Sequence, residues 1–352
     1  MPDVICARFE VHRLSILAPD GIIDEALMPP LTEDDIRRMY ELMVLTRVFD
    51  ERAIALQREG RIGTYPPSLG QEAAQVGSAF ALLPDDRLFP SFREMGVQLT
   101  IGYPIHQILQ YWAGDERGQQ APTSLNIFPI CVSVGTHIPH AVGAAMAARY
   151  RHEPVASVAW FGDGATSKGD FHEGFNMAGA FRLPLVFICQ NNQWAISLPL
   201  SGQTASATLA QKALAYGFDG VQVDGNDVFA VYQATSQALH KARSGGGPTF
   251  IECLTYRVAD HTTSDDAGRY RSADEVAAWK ARDPLLRLEL YMERCGLWNN
   301  AYAAETRQLA TAKIDAAIAV MESSAEAPDP DDMFRHTAAD LSQRQAGQRK
   351  EI

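Results

Sequence analysis

The sequence predicts an α/β protein built on a parallel sheet with helices on both faces. Three observations carry that expectation. Short runs rich in β-branched and aromatic residues recur after residue 155, at 155–161, 185–189, 221–223 and 249–256. The first two runs are almost continuously apolar instead of alternating, as strands buried on both faces are. The intervals between runs hold about one helix each, which is the spacing of βαβ units.

The flanking chain can be read in order. Residues 1–30 hold Pro2, Pro19, Pro29 and Pro30 without sustained periodicity, so an arm lying on something else is expected. A helix should start near Thr32, whose hydroxyl can cap with Asp35 three residues on. Ile36, Met39, Tyr40, Met43 and Val44 then follow helical spacing. Residues 58–72, rich in Gly and Pro, read as loop, whereas 104–113 and 139–150 read as helices. Beyond Pro284 the chain is mostly helical and ends in a polar tail interrupted by Pro328 and Pro330. The expected organisation is an N-terminal arm at 1–30 and a single α/β domain at 31–322, with its sheet core at about 131–256. A partner-contacting tail at 323–352 completes it.

Composition narrows the function classes. The 352 residues are 46% apolar and 21% charged, which is globular and excludes disordered, collagen-like and coiled-coil proteins. With 31 basic against 43 acidic side chains, the net charge of −12 argues against nucleic acid or an anionic membrane as the main partner. No apolar run approaches the roughly 18–20 residues of a membrane span. Asp3 and Glu10 speak against a signal or transit peptide. The five cysteines are scattered without a C-x-x-C pair, and a reducing cytoplasm is expected.

The chemistry concentrates at two strand exits. Gly162-Asp163-Gly164 follows one strand, and Asn191-Asn192 follows the next. In a βαβ unit both lie at the carboxyl edge of the sheet, where open α/β sheets bind ligands. Glycines let the backbone approach a bulky anion and offer it N–H groups. A diphosphate calls for a hard cation, and Mg²⁺ takes oxygen ligands. Asp163 can supply a carboxylate oxygen, Asn192 an amide oxygen and Trp194 a main-chain carbonyl. A turn and a polar loop are the bland alternative, and it is the pairing at this spacing that speaks against it.

These residues resemble the thiamine diphosphate–Mg²⁺ motif. The chain is further similar to the alpha subunit of the decarboxylating component of 2-oxo acid dehydrogenase complexes, nearest to the branched-chain type. Asn191 to Ser197, the run from Tyr256 through His261 and Asp265-Asp266 to Arg271, and Phe89–Gly96 carry that likeness. The resemblance implies the thiamine diphosphate-binding fold with helical N- and C-terminal additions. It implies that Asp163, Asn192 and the carbonyl of Trp194 hold Mg²⁺. Gly162, Gly164 and Ala165 would line the diphosphate, Arg93 would reach the phosphates, and His261 would stand at the reaction end. Val134 matches the apolar residue that bends the cofactor. Two positions depart from the pattern: Phe92 stands where many relatives have tyrosine, and Gln190 where some have arginine. The implied reaction is decarboxylation of a 2-oxo acid and transfer of the acyl group to a lipoyl arm on an acyltransferase core. Only one sheet is legible, so the resemblance implies a beta subunit that completes the site in an α₂β₂ heterotetramer. Pyruvate and acetoin dehydrogenases are the neighbouring alternatives, and a noncatalytic scaffold relative is the more distant one.

Other features carry less. His137 and His140 form an H-x-x-H pair without a third zinc ligand nearby, so packing or hydrogen bonding is expected. Asp260-His261 lacks the G-x-S-x-G elbow a hydrolase would need. Residues 258–272 are polar, and the resemblance makes them an active-site loop, with Thr262 where eukaryotic relatives carry a regulatory phosphoserine. Neither a G-x-G-x-x-G after a strand nor a P-loop occurs.

Overall fold

The computed structural model describes residues 3–324, 329, 331–335 and 337–351. The first half of the chain forms β1 (Arg13–Leu14), α1 (Glu33–Arg58), α2 (Glu72–Phe80), β2 (Arg87–Phe89), α3 (Met95–Thr100), α4 (Ile105–Trp112) and α5 (His137–Tyr150). Next come β3 (Ser157–Gly162), α6 (Gly169–Ala180), β4 (Leu185–Asn191), the small hairpin β5 (Trp194–Ala195) and β6 (Leu198–Pro199), and α7 (Leu200–Gln203). Then follow β7 (Asp219–Asp224), α8 (Val228–Arg243), β8 (Thr249–Leu254), α9 (Ala273–Lys280), α10 (Pro284–Arg294) and α11 (Asn300–Ser323). Short helices α12 (Asp332–Arg335) and α13 (Gln343–Arg349) lie in the tail, whose Pro328 and Pro330 fall outside the described residues.

Six parallel strands in the order β1-β7-β8-β4-β3-β2 form one sheet. All four predicted strands are present, and both faces of the sheet are covered. Strand alternation sorts the side chains. Val158, Trp160, Val186, Ile188, Ile251 and Cys253 join the core beneath α1, α2 and α8. Ala159, Phe161, Phe187, Cys189 and Phe250 join a second core with Phe171 and Phe175 of α6 and Ala141 and Ala145 of α5. This is why residues 155–161 and 185–189 read as almost continuously apolar. Thr32 caps α1 in a capping box with Asp35, as predicted.

Two strands extend the sheet beyond the expected 131–256 core: β2 beside β3, and β1 beside β7. The expectation that the whole arm lies on something else is therefore corrected for its second half. Ile16 and Leu17 are buried. Their backbone N–H groups donate to Asp227 Oδ2 at 2.6 and 2.7 Å. The other oxygen, Oδ1, accepts from Phe229 and Ala230 N–H at the start of α8. One buried carboxylate thus caps a helix and docks the arm. Asp227→Ala would leave four N–H groups without it, two of them on the arm. A cap is worth ~1 kcal/mol and each stranded buried donor ~1–3 kcal/mol. A loss of about 3–5 kcal/mol is expected, read as a lower urea midpoint.

Candidate active site

A cavity of about 620 Å³ opens at the carboxyl edge of the sheet, where β3 and β4 end. All eleven residues singled out in the sequence line it: Phe92, Arg93, Val134, Gly162, Asp163, Gly164, Ala165, Gln190, Asn192, Trp194 and His261. The register explains part of this. Gly162 pairs with Gln190 across β3 and β4, so the two strand exits lie side by side.

Three oxygens converge at one end. Asn192 Oδ1 lies 3.1 Å from the Trp194 carbonyl oxygen and 3.2 Å from Asp163 Oδ1. Asn192 Nδ2 donates to Gln71 Oε1 at 3.1 Å and Asn192 Oδ1 accepts from Trp194 N–H at 3.3 Å. With the amide turned over its nitrogen would donate to the Trp194 carbonyl and Asp163, so the inward-facing oxygen is the orientation a bound cation would select. Turning the amide over would set its oxygen against Gln71 Oε1 instead. Asp163 is buried, and that burial raises its pKa. Its second oxygen accepts from Gln203 Nε2 at 2.7 Å. Among the described residues no three His, Cys, Asp or Glu side chains converge as a metal site. This triad instead uses an amide and a main-chain carbonyl beside its one carboxylate.

The backbone around Trp194 is held in an uncommon shape. Gln193 has φ 74° and Ile196 φ 55°, both left-handed. For a β-branched residue this is an outlier that costs about 1–3 kcal/mol and persists only where neighbours impose it. Arg257 is the neighbour. Its side chain is fully buried and donates to Ile196 O at 2.8 Å, Trp194 O at 3.3 Å and Tyr270 Oη at 2.7 Å.

Arg93 lines the cavity and is itself buried. It donates to Pro67 O at 2.6 Å and His261 O at 3.0 Å, and its guanidinium lies 5.3 Å from the Phe92 ring centre. Burial, with Arg257 nearby, lowers its pKa to about 10, so it stays cationic at neutral pH. Burial and the Arg93 and Arg257 charges lower His261 to about 4, so its imidazole is neutral. Phe92 meets His261 edge to face at 6.1 Å. Val134 is 42% exposed, an apolar side chain presented to the cavity. A Cβ on Gly162 would meet nothing within 4 Å and would enter open space. The glycine there therefore suits an occupant of the cavity and is not demanded by packing.

Sequence reasoning missed three participants. Glu94 lines the cavity, with Oε1 accepting from Gln190 Nε2 at 2.7 Å and Oε2 from Arg93 N–H at 3.1 Å. Burial raises it to about 8. Gln75 joins Gln190 Oε1 to the Arg93 carbonyl and Gly96 N–H, so Gln190 sits in a buried polar network. Arg257 went unnoticed although it directly follows the run of β8 and precedes His261 by four residues. A cation immediately after a buried strand was the available signal.

The remaining features divide. His137 Nε2 donates to Trp160 O at 2.7 Å within the core, a hydrogen-bonding role, while His140 is exposed. The 258–272 loop is held by its own contacts. Thr263 pairs with Tyr65, Asp265 accepts from His261 N–H, and Arg271 donates to the carbonyls of Val258 and Ala259. No helix among the described residues is long and apolar enough to cross a membrane.

A model of the dehydrogenase E1 component family matches residues 40–330. The 3-methyl-2-oxobutanoate dehydrogenase subunit alpha of Mycobacterium tuberculosis strain H37Rv is 45% identical over 300 residues, 85% of this chain and 82% of that protein. The pyruvate dehydrogenase E1 component subunit alpha of Staphylococcus aureus strain MW2 is 42% identical over 314 residues, 89% of this chain and 84% of that protein.

Proposed function

The chain belongs to the dehydrogenase E1 component family, which depends on thiamine diphosphate, and from that premise we propose that it is the alpha subunit of a branched-chain 2-oxo acid dehydrogenase. The reaction is oxidative decarboxylation of a 2-oxo acid such as 3-methyl-2-oxobutanoate, with acyl transfer to a lipoyl group of an acyltransferase core. The observation that carries this reading is the oxygen triad. Its oxygen–oxygen gaps of 3.1 and 3.2 Å are of the size that cis ligands of a small hard cation such as Mg²⁺ occupy, roughly 3 Å, so the three oxygens could share one ion without rearrangement of the backbone.

In this reading Asp163, Asn192 and the Trp194 carbonyl hold Mg²⁺. Gly162, Gly164 and Ala165 line the diphosphate, with Gln190 and Phe92 beside it. Three of the five Arg93 donors are taken by Pro67 and His261, which leaves others for a phosphate. His261 would stand near the reacting part of the cofactor, and Val134 would set an apolar side chain against it. Bound thiamine diphosphate supplies the electron sink for loss of carbon dioxide. The chain contributes position, a partly dry cavity and fixed charge.

The 31–322 unit would act as one domain, and a beta subunit would close the cavity in an α₂β₂ assembly. The exposed residues 3–10 and the 323–352 tail would contact it. The unpaired cysteines favour the cytoplasm.

The substrate test is coexpression with a beta subunit, followed by comparison of decarboxylation of 3-methyl-2-oxobutanoate with that of pyruvate. Extra methyl groups in an apolar pocket are worth about 1–3 kcal/mol, so at least a tenfold preference in kcat/KM for the branched acid is expected. The Staphylococcus relative makes pyruvate the second reading, and a preference for pyruvate would establish it.

A further inference from the structure

We propose that Arg257 is a positioning residue that, together with Arg93, fixes His261 as its neutral Nε2–H tautomer. The imidazole then meets the cavity as a hydrogen-bond donor and not as a cation or a base. What His261 faces rests on the cofactor reading above, but the tautomer does not.

The inference follows from which atoms can donate. Arg93 Nη2 lies 3.1 Å and Arg257 Nη1 3.3 Å from His261 Nδ1. A guanidinium carries donors only, so Nδ1 must present its lone pair to both. The ring's single proton is therefore on Nε2. A second proton would sit on Nδ1, aimed at two donors and two positive charges.

The surroundings keep this arrangement. Arg93 reaches His261 from the 90–94 loop, and Arg257 from the exit of β8. Phe92 adds an apolar ring edge. Asp265 is the opposing charge, but its Oδ2 is engaged by the His261 backbone N–H and the Tyr270 hydroxyl. Burial comes first among the causes that hold the ring neutral, then Arg93, then Arg257. Arg257 cannot swing aside, because the same guanidinium holds Trp194 O, Ile196 O and Tyr270 Oη. One buried cation thus ties the oxygen triad to the histidine, and a change in the loop around Trp194 reaches His261 through it.

The test is spectroscopic and needs no cofactor. The full chain is prepared with ring-¹⁵N histidine, and multiple-bond ¹H–¹⁵N correlation spectra are recorded between pH 5 and 8. A His261→Gln variant assigns the signals. Wild type should show an unprotonated Nδ1 and a protonated Nε2 throughout. Arg257→Met should raise the midpoint by about one unit, read at pH 5 as a partly protonated ring where the wild-type ring is still neutral, as loss of a neighbouring like charge does. Arg257→Lys, which keeps the charge, should hold it down. A proton on Nδ1, or a wild-type midpoint near 6.5, overturns the proposal. The wild-type spectrum decides the tautomer even if the Met variant does not fold. In the assembled enzyme, Arg257→Met should add an acid limb to the kcat/KM profile that the Lys variant lacks. A wild-type Nε2–H signal from a protein that binds no thiamine diphosphate even when assembled with its beta subunit would sustain the tautomer and defeat the functional reading alone.

Discussion

Asp163→Ala is expected to abolish Mg²⁺-dependent binding of thiamine diphosphate by the assembled enzyme. Substitutions behind a metal's own ligands already cost roughly 10–100-fold in affinity, and removal of the triad's only carboxylate should exceed that. The same change should spare the protein. Asp163 is buried against other acceptors, and its one side-chain donor is Gln203. The metal-free variant should therefore melt within about 2 °C of wild type, or above it, since the carboxylate removed is one whose burial outweighs its hydrogen bonds and raises its pKa. Isothermal titration with the cofactor and Mg²⁺, run beside thermal melts without them, reads both quantities. Unchanged affinity would remove Asp163 from the site.

The purified chain is expected to show no turnover, and mixing with its beta subunit should restore at least a thousandfold. The titratable side chains lining the cavity are Arg93, Glu94, Asp163, Lys168 and His261. Asp163 is committed to the oxygen triad. Glu94 is tied to Gln190 and the Arg93 backbone. Neither is free to face the far ring of the cofactor. A missing acid–base group is worth roughly 10²–10⁴, and incomplete positioning of the ring adds to that. Decarboxylation would be followed with the chain alone, with the partner alone and with the mixture. Robust turnover by the chain alone would show that its own residues complete the site.

The legible and illegible parts of this molecule differ for a physical reason. β3 and β4 announce themselves because both their faces are buried, which favours apolar residues at nearly every position. β8 follows them apart from Glu252, whereas β7 is largely half-exposed and shows itself only through Val221 and Val223. β1 and β2 have two and three residues and begin with arginine, so nothing local marks them. Their strand geometry comes from the neighbour they pair with. The site follows the same division. Gly162-Asp163-Gly164 and Asn191-Asn192 are readable because their residue types suit an anion and a cation. Gln75 reaches Arg93 and Gln190 across 18 and 115 positions, Glu94 reaches Gln190 across 96 and Arg257 reaches the Trp194 carbonyl across 63, and spacing in the chain does not encode such contacts. Asp227 joins residues 210 and 211 positions apart and is equally silent.

The sheet's two outermost strands have a consequence for how the chain meets others. At two and three residues, β1 and β2 offer almost no free ladder of N–H and C=O groups. A neighbouring chain therefore finds little template for adding a strand, and ribbon-like polymerisation through the sheet is blocked at both sides. Association is left to helix faces and to the loops around the cavity mouth. A molecule so blunted at its margins can cluster with partners in closed assemblies without running on into fibres.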